Sequence, residues 1–237
     1  MKILMTGGAG EIGSKLLPAL KEKMVNLDPR AFDLKNGDNV FSWNRLTREI
    51  ADSSAVIHNV GKSGSGGSQS WADIYRQVVH STEAVVEACE LLNIRKIIYF
   101  STVDVYGFSP YLNKSKFIEP PTYPISVNHI PKDLDGYPLA KLMAEQTVLK
   151  SNIPLRIVVR LGWVGRLNNL PLLERFKWAE IDPPEFLNVM EGLINYKTKG
   201  TVKVGGESHK LNGVGRLTRD GRPSALDTNN RVNLIGV

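Results

Sequence analysis

Short apolar runs alternate with amphipathic stretches along the first two thirds of the chain. Ile3-Leu4-Met5 opens it as a run suited to a strand buried on both faces. The pattern breaks at Thr6-Gly7-Gly8-Ala9-Gly10 and restarts after Gly13 as Lys15-Leu16-Leu17-Pro18-Ala19-Leu20, a helical pattern. Residues 24–28 read as a second strand and 31–34 as a cramped third. A helix around 43–51, a strand at 55–61, a helix over 74–92 and a strand at 96–102 follow. A helix over 136–150 and a strand at 155–160 close the alternation, which argues an α/β fold with a parallel, doubly wound sheet. Beyond Gly165 the pattern loosens to a helix near 184–196, a strand near 201–204 and a Gly- and Arg-rich tail with Arg216, Arg219, Arg222 and Arg231. Two stretches carry no periodicity. Residues 62–70 are Gly- and Ser-rich, hence flexible; they read as a loop on the substrate side of the sheet or as an ordinary solvated loop. Residues 104–131 hold five prolines, and a loop so long in a compact domain is more often functional than decorative.

The first break is the chain's organising feature. Gly7, Gly10 and Gly13 stand in G-x-x-G-x-x-G spacing where a strand passes into a helix. Gly7 permits a tight turn, Gly10 lets backbone approach a pyrophosphate, and Gly13 lets helix and strand pack closely. The helix start offers free N–H groups and a positive dipole to phosphates. Asp28, 21 residues beyond Gly7, is placed to accept hydrogen bonds from an adenosine ribose. That carboxylate would repel a 2′-phosphate, favouring NAD over NADP; Arg30 close by pulls the other way.

Composition narrows the class. The chain has 237 residues, 42% hydrophobic and 23% charged, enough for one sizeable core with a small appendage. The net charge of +6 suits an anionic ligand, whereas nucleic acid binding lacks a basic block or a basic helix with interleaved aromatics. Cys89 is the single cysteine, so no intrachain disulfide forms, and its helical setting reads as a small buried hydrophobe. No apolar run is long enough for a membrane span and no signal peptide is apparent; a cytoplasmic location is the expectation. His58, His80, His129 and His209 are scattered, so no metal is expected.

The second chemical signal is Tyr137-Pro138-Leu139-Ala140-Lys141. Tyr137 and Lys141, four apart, share one helix face, and Pro138 is tolerated in the first turn. An ammonium beside a phenol favours the phenolate, making an acid/base usable near neutral pH. Lys141 can also reach a ribose hydroxyl, and Thr102, ending a strand, can hold a substrate oxygen.

These pieces together resemble the extended short-chain dehydrogenase/reductases of the NAD-dependent epimerase/dehydratase superfamily. The resemblance rests on Thr6 to Gly13, Val56-Ile57-His58, Phe100-Ser101-Thr102-Val103-Asp104-Val105-Tyr106-Gly107, Tyr137 to Lys141, and Arg160 to Gly165. It implies a Rossmann domain over 1–165 and a reduced C-terminal substrate lobe over 166–237, packed on the same core. It implies catalytic Thr102, Tyr137 and Lys141. Cofactor contacts are implied for Gly7, Gly10, Glu11, Ile12, Gly13, Asp28, Asp33, Leu34, Val60, Gly61, Tyr137 and Lys141. Dehydratases of this superfamily carry Asp-Glu after the Thr; Val103 cannot transfer a proton, which argues against a 4,6-dehydratase. The short C-terminal part is similar to that of uronate dehydrogenases, which points to Ser63 and Arg175 as substrate contacts, although Val103-Asp104 stands where those enzymes have Asn-His. The resulting expectation is an NAD-dependent oxidoreductase acting on a sugar or nucleotide-sugar hydroxyl or ketone. A nucleotide-sugar 4-epimerase using the same residues and a non-catalytic NAD(H)-binding sensor or interaction module stay open. The family also implies a homodimer through the helices at 74–92 and 136–150.

Overall fold

The computed structural model describes residues 2–8, 10–20, 24–27, 43–61, 70–106, 134–161, 163–164, 180–181, 183–195, 200–204 and 232–235. The chain divides into two compact units, Met1–Phe100 with Asp135–Val158, and Ser101–Leu134 with Val159–Val237.

The first unit runs β1 (Ile3–Thr6), α1 (Glu11–Leu20), β2 (Met24–Leu27), α2 (Trp43–Ala51), β3 (Ala55–His58), α3 (Trp71–Tyr75), a π-helical turn (Arg76–His80) and α4 (Ser81–Leu91). It continues into β4 (Lys96–Thr102), whose last two residues belong to the second unit. It then takes up α5 (Gly136–Lys150) and the start of β5 (Leu155–Leu161). Strand order is β2-β1-β3-β4-β5. β1 pairs in parallel with β2 on one side and β3 on the other, and β3 pairs in parallel with β4. The winding direction therefore reverses at β1, and the doubly wound parallel sheet expected from the alternation is present. In such sheets ligands sit beyond the carboxyl ends of the strands at the reversal, here Thr6 and His58.

The strands are apolar at every position that must be covered twice. Leu4, Val56, Ile97, Tyr99 and Val158 are buried in one cluster with Leu46 and Ile50 of α2, Val85 and Cys89 of α4, and Ala140, Ala144 and Val148 of α5. Each Val, Leu or Ile among them contributes roughly 1.5–3 kcal/mol when fully buried. Small residues on the sheet-facing side of α5 let its backbone come close, which matters for the lysine it carries. Cys89 is buried as expected, and burial, helped by Glu90, pushes its thiol up to about 12.

Several boundaries differ from the sequence expectation. α1 begins at Glu11, so Gly13 lies inside its first turn rather than before it. β3 stops at His58, short of Gly61, whose φ of 131° no strand accommodates. The helix expected over 74–92 begins at Trp71, because Ser70 caps it by accepting the Asp73 N–H. Its π turn is invisible to a periodicity argument. The cramped strand at 31–34 lies outside the described residues.

In the second unit, a 3₁₀ turn (Val103–Tyr106) follows β4. β6 (Trp163–Val164) pairs in parallel with β7 (Glu180–Ile181), and β8 (Gly200–Val204) with β9 (Val232–Ile235). α6 (Pro183–Asn195) buries Phe186, Met190, Leu193 and Ile194, one helical stripe. β9 corrects the reading of the tail, whose polar composition hides the four-residue strand Val232-Asn233-Leu234-Ile235. Among the described residues no helix is long and apolar enough to cross a membrane.

Candidate functional site

The glycine turn forms one lip of the reversal point. Gly7 adopts φ +73°, and a Cβ there would collide with the Asn59 carbonyl oxygen. A Cβ at Gly13 would collide with the backbone of Gly8, and one at Gly10 would stand 3.2 Å from the Gly7 oxygen. Gly10 N–H bonds back to Gly7 O (3.1 Å), and Ser14 N–H to Gly10 O (2.8 Å), so the turn runs straight into α1. Glu11 starts that helix and Ile12, partly buried, follows it. The turn thus presents bare backbone and a helix N-terminus at the carboxyl end of β1, a cradle that fits a pyrophosphate. The roles expected of Gly7 and Gly13 have a steric basis, and the one at Gly13 is packing against the turn itself.

Gly61 and α5 make a second group. Lys141 is buried, and its Nζ donates to Phe100 O (2.7 Å) and to Val60 O (3.3 Å), tying α5 to β4 and to the residues after β3. It stands 4.7 Å from the centroid of the Tyr99 ring and 5.8 Å from that of Tyr137. A Cβ on Gly61 would lie 3.1 Å from Val78 Cγ2, 3.6 Å from Lys141 Nζ and 3.7 Å from Tyr137 Cε2. Tyr137, Lys141, Val60 and Gly61, all expected at the site, therefore converge. Burial pulls the Lys141 ammonium down to about 7, with Glu145 one turn along α5 opposing. Two of its three N–H groups hold backbone carbonyls, which fixes the head while leaving a donor for a ligand.

His58 is a residue the sequence reading did not place in the site. It is fully buried at the last register position of β3, opposite Thr6. Its Nδ1 lies 2.7 Å from Thr6 Oγ1 and its Nε2 3.0 Å from Thr82 Oγ1. The ring stacks on Tyr99 at 5.6 Å between centroids. Burial, with the Lys141 charge adding to it, takes its pKa down to about 3, so it is neutral. The signal was available: a polar residue ending a strand as apolar as Ala55-Val56-Ile57 must find buried partners.

Thr102 ends β4 in the second unit, and its Oγ1 accepts the Asp104 N–H (3.2 Å), capping the 3₁₀ turn. Asp104 is buried, with Oδ1 lacking a hydrogen-bond partner. Burial pushes its carboxyl up to about 7, against the pull of Thr102. An acid between two valines gave no sequence sign of burial. Asp28, Asp33, Leu34, Ser63 and Arg175 lie outside the described residues. Among the described residues no group of three His, Cys, Asp or Glu side chains is arranged to hold a metal ion.

A parallel sheet reversing at β1, with a glycine turn at the reversal and a partly buried Tyr137 beside a buried Lys141 on α5, defines a Rossmann-type fold of the short-chain dehydrogenase/reductase class. The profile of the 3-beta hydroxysteroid dehydrogenase/isomerase family matches residues 4–161, and the chain belongs to that family. The resemblance to extended short-chain dehydrogenase/reductases read from the motifs is borne out. The chain is similar to short-chain dehydrogenase/reductase family 42E member 1 of Xenopus laevis, 28% identical over 170 residues, 63% of this chain and 40% of that protein. It is also similar to UDP-glucose 4-epimerase of Azospirillum brasilense, 30% identical over 161 residues, 61% of this chain and 43% of that one. The chain thus spans less than half the length of either curated relative. Among solved structures it resembles the Bordetella bronchiseptica enzyme WbmG in complex with NAD and UDP. That likeness has a TM-score of 0.66 at 20% identity, covering 89% of this chain and 74% of that one.

Proposed function

We propose that the protein is an NAD-dependent oxidoreductase interconverting a secondary hydroxyl and a ketone on a sugar or nucleotide-sugar. The observation that supports this most is Lys141: a buried ammonium held by two backbone carbonyls beside Gly61 and Tyr137, on the ligand-facing end of a sheet whose glycine turn fits a dinucleotide. A lysine kept at such desolvation cost calls for a function. Bound NAD supplies the acceptor for the hydride leaving the carbinol carbon. The chain handles the rest. Gly7, Gly10, Gly13 and the start of α1 hold the pyrophosphate, and Gly61 leaves room beside Lys141 for the nicotinamide half. Tyr137 takes the hydroxyl proton at its phenolic oxygen, Lys141 favours the phenolate and reaches the ribose, and Thr102 holds the substrate oxygen.

Tyr137→Phe tests the assignment. NADH binding, followed by fluorescence, should stay within about twofold, while substrate-dependent NADH formation falls by at least ~100-fold, the usual worth of a positioned acid/base. Undiminished turnover in the variant would falsify the mechanism. A hydroxysteroid substrate is the second reading, favoured by the family whose profile the chain matches. A panel of hexuronic acids, UDP-, GDP- and dTDP-sugars and 3β-hydroxysteroids, read at the NADH absorbance band, separates them. NADH accumulation marks a dehydrogenase; turnover without accumulation marks the epimerase that also uses this residue set.

A further inference from the structure

The hydrogen bonds around His58 have a single consistent direction. Thr82 Oγ1 donates its one proton to the Val78 carbonyl (2.6 Å), so towards His58 it can only accept. The ring proton of neutral His58 is therefore on Nε2, and Nδ1 is bare. Nδ1 accepts from the Thr6 hydroxyl, and Thr6 Oγ1 in turn accepts the Asn59 N–H (3.2 Å). Asn59 is the residue whose carbonyl closes against Gly7, and its Nδ2 donates to Gly7 O (3.4 Å). The chain of bonds starts in the π turn. There Val78 O takes the Ser81 N–H and the hydroxyls of Ser81 and Thr82, and the Val78 side chain faces Gly61. π turns inserted in α-helices are frequently found at functional sites.

We infer that His58, oriented by Thr82 and the π turn Arg76–His80, is a positioning residue for the cofactor: it locks the ends of β1 and β3 so that the Gly7 turn keeps the shape of a phosphate cradle. The inference rests on reading that turn as the dinucleotide site. It assigns the π turn a purpose, because one segment sets both Gly61, through Val78 Cγ2, and Gly7, through the relay Thr82–His58–Thr6–Asn59. His58 does not touch ligand; it fixes a backbone that does.

The test leaves the site residues intact. Thr82→Val removes the acceptor for His58 Nε2–H at nearly constant shape, and Thr82→Ser restores it. The expected result is NADH affinity about tenfold weaker in the valine variant, the scale of one buried hydrogen bond, with near wild-type affinity in the serine variant. Val85→Ala, a buried aliphatic truncation one turn further along α4, is the control: it should lower the melting temperature and leave NADH affinity unchanged. Imidazole ¹⁵N–¹H spectra should show the Nε2-protonated tautomer in the wild type and a shift to Nδ1 in Thr82→Val. Unchanged affinity in Thr82→Val overturns the inference, as does an equal loss in Val85→Ala. A wild type that binds no NADH sinks the dinucleotide reading instead. The ring proton then decides the lock alone, and its presence on Nδ1 overturns it.

Discussion

Two basic side chains are buried on the same face of one sheet, and they are held in opposite ways. His58, at the junction of β1 and β3, meets two threonine hydroxyls, Thr6 donating to Nδ1 and Thr82 accepting from Nε2. Lys141, reaching from α5 to β4 and to the residues after β3, meets two backbone carbonyls, which only accept. Hydroxyls suit a neutral ring, and burial keeps it neutral, at about 3. Carbonyls suit a cation, while burial pulls Lys141 down to about 7, poised to be charged or not near neutrality. One group is therefore a fixed strut and the other a titrating participant, and the acceptor set around each says which.

The largest effect should come from breaking the second of these. Lys141→Met keeps the buried stem and discards the charge. Turnover should fall by about 10²–10⁴-fold, the range for loss of acid/base assistance, with soluble folded protein. Stability should move in the other direction, because an uncompensated buried charge is costly. The sign follows from the depressed pKa. Between pH 7 and the unfolded value of 10.5 the unfolded chain holds a proton that folded Lys141 has released, so this group's contribution to stability rises with pH across that window. Below pH 7 the folded protein carries the full cost of the charge. The melting temperature of Lys141→Met should therefore exceed that of the wild type at pH 6, with the gap narrower at pH 9 and closed only above the unfolded value of 10.5. A gap that widens with pH would break the comparison.

Next in size is Gly61→Ala, which crowds the strut side and the titrating side together. Its φ of +131° is nearly closed to an L-residue, and the new methyl would lie 3.1 Å from Val78 Cγ2. Strain of this kind costs on the order of 1–3 kcal/mol, which corresponds to roughly 5- to 150-fold in NADH affinity if it is relieved by shifting the loop. Adding Val78→Ala should recover the steric share and not the backbone share. No recovery would mean that φ alone carries the cost.

How much of this was legible beforehand depends on the kind of order involved. Apolar runs located the described strands of the first unit and helical periodicity its helices, α3 only at its last two residues. The glycine turn was legible because its spacing has a steric cause that the Asn59 and Gly8 contacts display. Tyr137 and Lys141 were legible from helical spacing, Gly61 was expected as a cofactor contact only through the resemblance, and its convergence on the pair is seen only in the structure. The π turn was not, because one extra residue per turn looks in sequence like ordinary helical drift. Nor was the partnership of Thr6, His58 and Thr82, which are 52 and 24 residues apart and meet only once the strand register is set. The burial of Asp104 is the same kind of fact: a turn's local sequence does not say what folds over it.

The smallest effect is the sharpest test of the strut. With a folded pKa near 3 against a usual 6.5, His58 stays unprotonated while the unfolded chain takes up a proton between those values. Stability from this group is complete above pH 6.5 and is lost as pH falls toward 3, with a slope of at most about 1.4 kcal/mol per pH unit. This window lies below that of Lys141, so the two contributions separate on the pH axis. His58 ring resonances should then stay unchanged from pH 8 to pH 5 in the folded protein, and the NADH dissociation constant should show no inflection near pH 6.5 traceable to it. A ring that titrates between pH 5 and 7 would mean that the threonines do not hold it neutral. His58 would then join Lys141 as a proton-exchanging group, and the distinction drawn from their acceptor sets would fail.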